Sequence, residues 1–199
     1  MSLKLVTGAL PDNDDVLTLA QFKSFLVDVP SSEDTEAQQA VDSAVEDLEK
    51  HTGRAYGART YDLVFDSFPS VICLPKPPLT SVTSVKYIDS ADAEQTLTVN
   101  VDYYVYGVDV VNINTYGTYG GWIEPVDSWP TDVNTEIKEA VTIRFVAGYD
   151  APNTVPARAK QAARLRANLY YSFKGATYDQ EADNLYWKIV NDLCVYSFA

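Results

Sequence analysis

The stretch Ala140–Phe173 (AVTIRFVAGYDAPNTVPARAKQAARLRANLYYSF) constrains the fold most, because it asks for two different periodicities back to back. Its first part sets Val141, Ile143 and Phe145 against Thr142, Arg144 and Val146, the period-two alternation of a strand with one buried face. Gly148 and Pro152 end that strand. Val155-Pro156 then opens a helix, since proline at the first helical position loses no hydrogen bond. Helical winding predicts an apolar face of Val155, Ala159, Ala162, Ala163, Leu169, Tyr170 and Phe173, with Lys160, Gln161, Arg164, Asn168 and Tyr171 opposite. Arg166 interrupts that apolar face. A guanidinium there must snorkel outward or meet a carboxylate, and Asp42, Glu46 and Asp47 are the candidate partners.

Upstream, the segment to Asp15 is polar and acidic and is expected to be loose. Asp12-Asn13-Asp14-Asp15 lacks the glycine and closing glutamate of a calcium loop. Thr18 and Gln21 have capping-box spacing, followed by Leu19, Phe22 and Leu26 on a short amphipathic helix. Ser31 or Ser32 is placed to cap a second helix whose first turn carries Glu33, Asp34 and Glu36, acids suited to the positive end of the macrodipole. Its buried stripe is Ala37, Ala40, Val41, Ala44, Val45 and Leu48, and Gly53 closes it.

From Ala58 the punctuation changes. Six of the ten prolines and eight of the fourteen tyrosines lie between Ala58 and Tyr149, where no long helical period survives. The predicted strands are Thr60–Phe65, Val71–Leu74, Ser81–Ile88, Gln95–Val99, Tyr103–Tyr106, Val110–Asn114 and Ala140–Ala147, with a hairpin tip at Asp89–Asp92. Many short strands suggest an antiparallel sandwich or barrel-like unit. After Lys174-Gly175 a helical pattern restarts over Gln180–Tyr196, with Ala182, Leu185, Ile189, Val190 and Leu193 on one face, before the apolar ending VYSFA. The expected fold is therefore α+β: an N-terminal helical part (1–57), an inserted, mostly antiparallel β unit (58–149) and C-terminal helices completing the bundle (150–199).

Charge is distributed unevenly. The net charge of −13 argues against a dedicated nucleic-acid binder, which needs cations to displace phosphate counterions. Asp12–Glu49 holds eleven acids and one base, whereas Ala151–Tyr178 holds five bases and no acid. These regions, with Asp42, Glu46 and Asp47 facing Arg158, Lys160, Arg164 and Arg166, are candidate interaction surfaces within a subunit or between subunits. Val195, Tyr196 and Phe198 are a candidate docking element. No stretch has the length of a membrane span, and the N-terminus lacks a signal-peptide core. Cys73 and Cys194 form no CxxC and are expected to be buried, reduced thiols of a cytosolic product.

Catalytic constellations are missing. His51 is the only histidine, has no companions at metal-ligand spacing, and reads as a residue favoured at a helix C-terminus. TYGTYGGW, with Gly117, Gly120 and Gly121, lacks the Lys-Ser/Thr and the following helix of a phosphate loop. No GxSxG is present. Trp122 and Trp129 near Glu124, Asp127 and Asp132 leave a carbohydrate-binding or glycoside-cleaving module as the competing function.

Taken in order, the segments EKHTGRAY, YDLVFDSFPS, LPKPPLTSVTSVKYID, EQTL, DYYVYG, Trp129-Pro130 and AVTIRFVAGYDAPNTVPARAKQAARLRANLYY resemble the head–tail connector, or adaptor, proteins of tailed bacteriophages, prophages and gene transfer agents. The likeness runs from about Leu17 to Phe173. It implies a helical bundle with a β insertion and a structural role in the virion neck, with no enzyme activity, cofactor or metal. The implied partners are the portal protein, neighbouring copies in a ring expected to match the portal's twelvefold symmetry, and a downstream neck or tail-terminator protein. Genome DNA would pass through the channel without specific binding. Assembly would take place in the host cytoplasm. Another neck or tail-completion protein is a further alternative.

Overall fold

The computed structural model describes residues 1–6, 16–26, 29–108, 121–149, 155–172 and 179–194. The fold is α+β; among the described residues there are four α-helices and eight strands in two antiparallel sheets that do not close into a barrel.

Helix α1 (Leu19–Phe25) begins at the anticipated capping box. The Gln21 N–H donates to Thr18 Oγ1 at 3.0 Å and the Thr18 N–H to Gln21 Oε1 at 3.3 Å. Helix α2 (Asp34–Thr52) buries the predicted stripe of Ala37, Ala40, Val41, Ala44, Val45 and Leu48. Its start differs from expectation. Ser31 and Ser32 belong to a 3-10 turn, Ser31–Glu33, and no side chain caps α2. Gly53 ends the helix at φ 71, the left-handed conformation that glycine adopts without a Cβ penalty.

The strand that opened the sequence argument is the centre of the larger sheet. Strand β8 (Val141–Ala147) lies between β2 (Arg59–Phe65) and β4 (Leu79–Ile88) in the order β1-β2-β8-β4-β5. Its odd-numbered residues point into the core, alternating with Thr142, Arg144 and Val146 as the period-two reading requires. Strand β5 (Glu94–Leu97) forms one edge. The other edge, β1 (Ser2–Leu5), falls in the segment expected to be loose. Most of β1 is exposed; the backbone ladder to β2 and the packing of Leu3 on the sheet core hold it, and its alternation of Leu3 and Leu5 with Ser2 and Lys4 spans only four residues. The smaller sheet has the order β3-β7-β6, from Ile72–Cys73, Trp122–Pro125 and Tyr103–Tyr106. Strand β7 is unanticipated, and the proposed strand Val110–Asn114 lies outside the described residues.

Helix α3 (Ala157–Ser172) buries Ala159, Ala162, Ala163 and Ala167. Tyr170, assigned to the buried face, is instead exposed, and Leu169 is half-buried. Tyr171, assigned to the polar face, packs on the helical core, its ring edge-on to Phe22 at 6.0 Å. Small alanines let α2 and α4 approach α3 closely, so the stripe turns further round the helix than a winding centred on large residues suggests. Helix α4 (Gln180–Leu193) is N-capped by Asp179. Leu185, expected inside, is exposed, and the fully buried position is Tyr186.

Two apolar clusters result. Val16, Leu17, α1, α2, Tyr56, Tyr149, Val155, α3 and α4 share one, and the two sheets share the other. Gly148 sits at their junction at φ 118, its Cα so near the neighbouring chain that an added Cβ would lie 2.1 Å from the Gly57 carbonyl oxygen. Cys73 is exposed and Cys194 half-buried, which corrects the expectation of two buried thiols; both are free. Cys73 faces away from the core because its neighbour Ile72 faces in.

Candidate functional site

Arg166 has its carboxylate. On α3, its Nη2 lies 2.9 Å from Asp47 Oδ2 of α2, and its Nε donates to the same oxygen at 3.0 Å. Its Nη1 reaches Asp183 Oδ1 of α4 at 3.2 Å. The guanidinium also lies over the rings of Tyr170 and Tyr186, 4.8 and 5.0 Å from their centroids. The Tyr170 hydroxyl donates to Asp47. One cation thus joins three helices within the subunit. Burial by itself would raise the Asp47 pKa, but the Tyr170 hydroxyl, the Arg166 guanidinium and, more weakly, His51 outweigh it and hold the carboxyl below its ordinary value. Burial first, then the bond to Asp47, raises the Tyr170 phenol.

The other candidates scatter. Asp42 accepts from Gln38 Nε2 at 3.0 Å along its own helix, and Glu46 is exposed. Arg158 pairs with Asp192 of α4 at 2.5 Å. Lys160 and Arg164 are half-buried, and Arg164 Nε has no hydrogen-bond partner among the described residues. Val195, Tyr196 and Phe198 lie outside the described residues, as does the acidic run Asp12–Asp15. Opposite charge therefore meets mainly inside the subunit. Contacts that join the acidic region to α3 include Arg166 to Asp47, the Tyr170 hydroxyl to Asp47 and the Tyr171 hydroxyl to Glu33.

Two ionic residues escaped the sequence reading. Asp183 looks like an ordinary first-turn acid, and only the packing of α4 on α3 makes it a partner of Arg166. Glu49 could have been found, because it lies on the apolar stripe of α2 just as Arg166 does on α3. It is buried, accepts from the Tyr56 N–H at 2.8 Å and pairs with Arg59 Nη1 at 2.5 Å, tying the end of α2 to the start of β2.

The aromatic residues considered for sugar binding are spent on one another or on the backbone. Trp129 stacks on Phe68 with centroids 4.6 Å apart and donates from Nε1 to the Ser70 carbonyl at 3.4 Å. Trp122 stacks on Tyr106 at 5.2 Å and donates to Glu124 at 3.1 Å. Asp132 accepts from the Tyr87 hydroxyl at 3.2 Å, and Asp127 is exposed on the turn after β7. The two tryptophans thus belong to separate stacks and form no joint platform with the acids. The His51 Nδ1–H donates to the Asp47 carbonyl oxygen at 2.7 Å, and the ring meets Trp187 edge-on. Among the described residues no group of three potential ligands could hold a metal.

Neither a protein-family model nor a curated protein matches the chain. Solved structures do. A chain in the neck of an empty gene transfer agent (GTA) particle, computed with C6 symmetry, superposes at a TM-score of 0.76, with 19% identity over 100% of this chain and 98% of that one. A chain in the neck of a native particle, computed with C12 symmetry, gives 0.73 at 20% identity with the same coverage. A third, from the virion of a native gene transfer agent particle, gives 0.74 at 20%. The protein has the fold of these neck chains from end to end.

Proposed function

We propose that the protein is a structural component of the virion neck, an adaptor that assembles as a ring on the portal and joins the DNA-filled head to the tail. The observation that carries this reading is the match of the whole fold, bundle and β insert together, to chains of GTA necks. The symmetries of those necks, C6 and C12, support a closed ring of copies, expected to number twelve on the portal. A downstream neck or tail-terminator protein is the partner on the other side. In this reading 58–149 is an insert in a helical bundle, a division supported by the apolar cluster that α1, α2, α3 and α4 share, although β1 joins the sheet.

The protein has no catalytic role in this reading. Its charged side chains hold helices together, and a subunit of net charge −13 repels phosphate, which leaves DNA free to slide past. The test is electron microscopy of the full chain mixed with its portal protein. A twelvefold ring seated on the portal is expected; portal particles that remain bare at micromolar chain concentrations would overturn the proposal.

A further inference from the structure

The outward face of the small sheet is anomalous for an exposed antiparallel sheet. Such sheets alternate apolar residues inward with polar residues outward. Here the register places Cys73, Trp122 and Tyr106 in one row across the three strands, with Glu124 and Tyr104 in the next and Val71 beside them. Their alternates Ile72, Ile123 and Tyr103 are buried in the β core, so the row cannot turn inward. Val71, Tyr104 and Tyr106 are 42%, 41% and 39% exposed. The Tyr106–Trp122 stack is nearly parallel, at 19°, and Tyr104 leans on Tyr106 at 6.3 Å. The rings are therefore ordered before anything binds them, which lowers the entropic cost of contact.

We infer that this face packs against a neighbouring copy of the chain in the ring, an inference that rests on the adaptor reading. Charge selects the occupant. Two copies each carrying −13 repel, and contact between them is least costly where charge is absent. Among the described strand residues of this face the one carboxylate is Glu124, already engaged by Trp122 Nε1. A basic partner would gain more from the acidic surfaces elsewhere and nothing electrostatic here. Tyrosine and tryptophan are the residues that centre energetically decisive contacts. A stable contact covers about 800 Å² on each partner, so these rings serve as its middle, with polar neighbours as the rim. Closure of a ring requires the mating surface to be a different face of the next copy.

Two measurements test this on the full chain with its portal protein. Tyr106→Glu and Trp122→Glu should each lower ring occupancy on the portal at least tenfold while monomer melting stays unchanged. In a Cys194→Ser background, Cys73 labelled with a benzophenone maleimide should cross-link to a second copy, at residues outside the small sheet. The labelling experiment also decides the matter if the charged variants fail to fold. Rings that form equally well with the variants overturn the inference and leave the adaptor reading standing. So do cross-links that run to the portal, or between two identical sheet faces. Absence of any ring from the unaltered chain overturns both.

Discussion

Replacing Arg166 with alanine removes the cation shared by Asp47 and Asp183 and strands both carboxylates in the helical bundle. The side chains are 18%, 23% and 11% exposed, which places the cluster between two regimes. Breaking a fully buried pair costs about 3–5 kcal/mol, and an exposed pair is worth roughly 0–1. Screening by the remaining solvent contact brings the expected loss to about 2–3 kcal/mol, a large part of the ~5–15 kcal/mol that holds a domain folded. For a chain of this size that is a fall in Tm of about 4–12 °C, read by differential scanning calorimetry of the free subunit. The pH dependence gives a second signature. The folded Asp47 pKa lies below its unfolded value near ~3.9, so its contribution is complete above that pH and is lost as pH falls through the folded value. Arg166→Ala should therefore lose most stability near neutrality and converge on the unaltered protein in acid. A double-mutant cycle with Asp47→Ala should return a coupling of about 1 kcal/mol or more. Melting within 2 °C of the unaltered chain at neutral pH, roughly the scatter of a neutral surface change, would show that Arg166 merely snorkels and that the clamp does not stabilise the bundle.

Glu49→Ala should cost about 3–5 kcal/mol, because Arg59 and the Tyr56 N–H are both left without their buried acceptor; urea unfolding of the subunit measures it. Gly148→Ala should destabilise by more than about 2 kcal/mol, since it combines a positive φ with a Cβ driven onto the Gly57 carbonyl, and unchanged urea unfolding would refute that account. Deleting Tyr196–Ala199 should leave subunit melting intact and weaken binding to the portal; a collapse of melting would instead assign those residues to the subunit's own core. Excess chelator should change neither the melting curve nor ring assembly, and a chelator-dependent loss of either would reveal a required metal.

Periodicity made much of this fold legible. The alternation in β8, the stripe of α2 and the Thr18–Gln21 box are local rules, and each element formed where its rule placed it. Elements of only four residues, whose patterns are too short to stand out, were hidden. Strand β1 exists because β2 offers an open edge, and the four residues of β7 look like a loop until β3 and β6 flank them. Rotation of α3 was misjudged for a related reason. Ala167 is small enough to face α2 and α4, which turns Tyr170 outward and Tyr171 onto Phe22. The site was legible to the same degree. A lone cation on an apolar face demanded an acid, and Asp47 supplied it, but Asp183 arrives from an element whose docking no spacing reveals.

The polarity of charge along the chain, which suggested pairing within a subunit or between neighbouring subunits, bears on assembly once the pairs are located. Arg166 is consumed by Asp47 and Asp183, Arg158 by Asp192, Arg59 by Glu49 and Arg144 by Asp62, all within one subunit. Of the four helix cations placed to bridge to a neighbour's acidic surface, Arg158 and Arg166 are thus engaged within the subunit, and the excess negative charge of the chain is left to repel. Uncharged surface then favours ring formation, since each apolar area removed from water contributes about 25 cal/mol per Å² without regard to sign. The aromatic face of the β3-β7-β6 sheet has that character. Salt separates the two schemes. Rings joined by opposite charges loosen as ionic strength rises, whereas rings joined through a neutral face between like-charged subunits tighten, because screening removes the repulsion. Assembly on the portal should therefore strengthen between 50 mM and 500 mM NaCl, and weakening over that range would return the intersubunit contact to the charged helices.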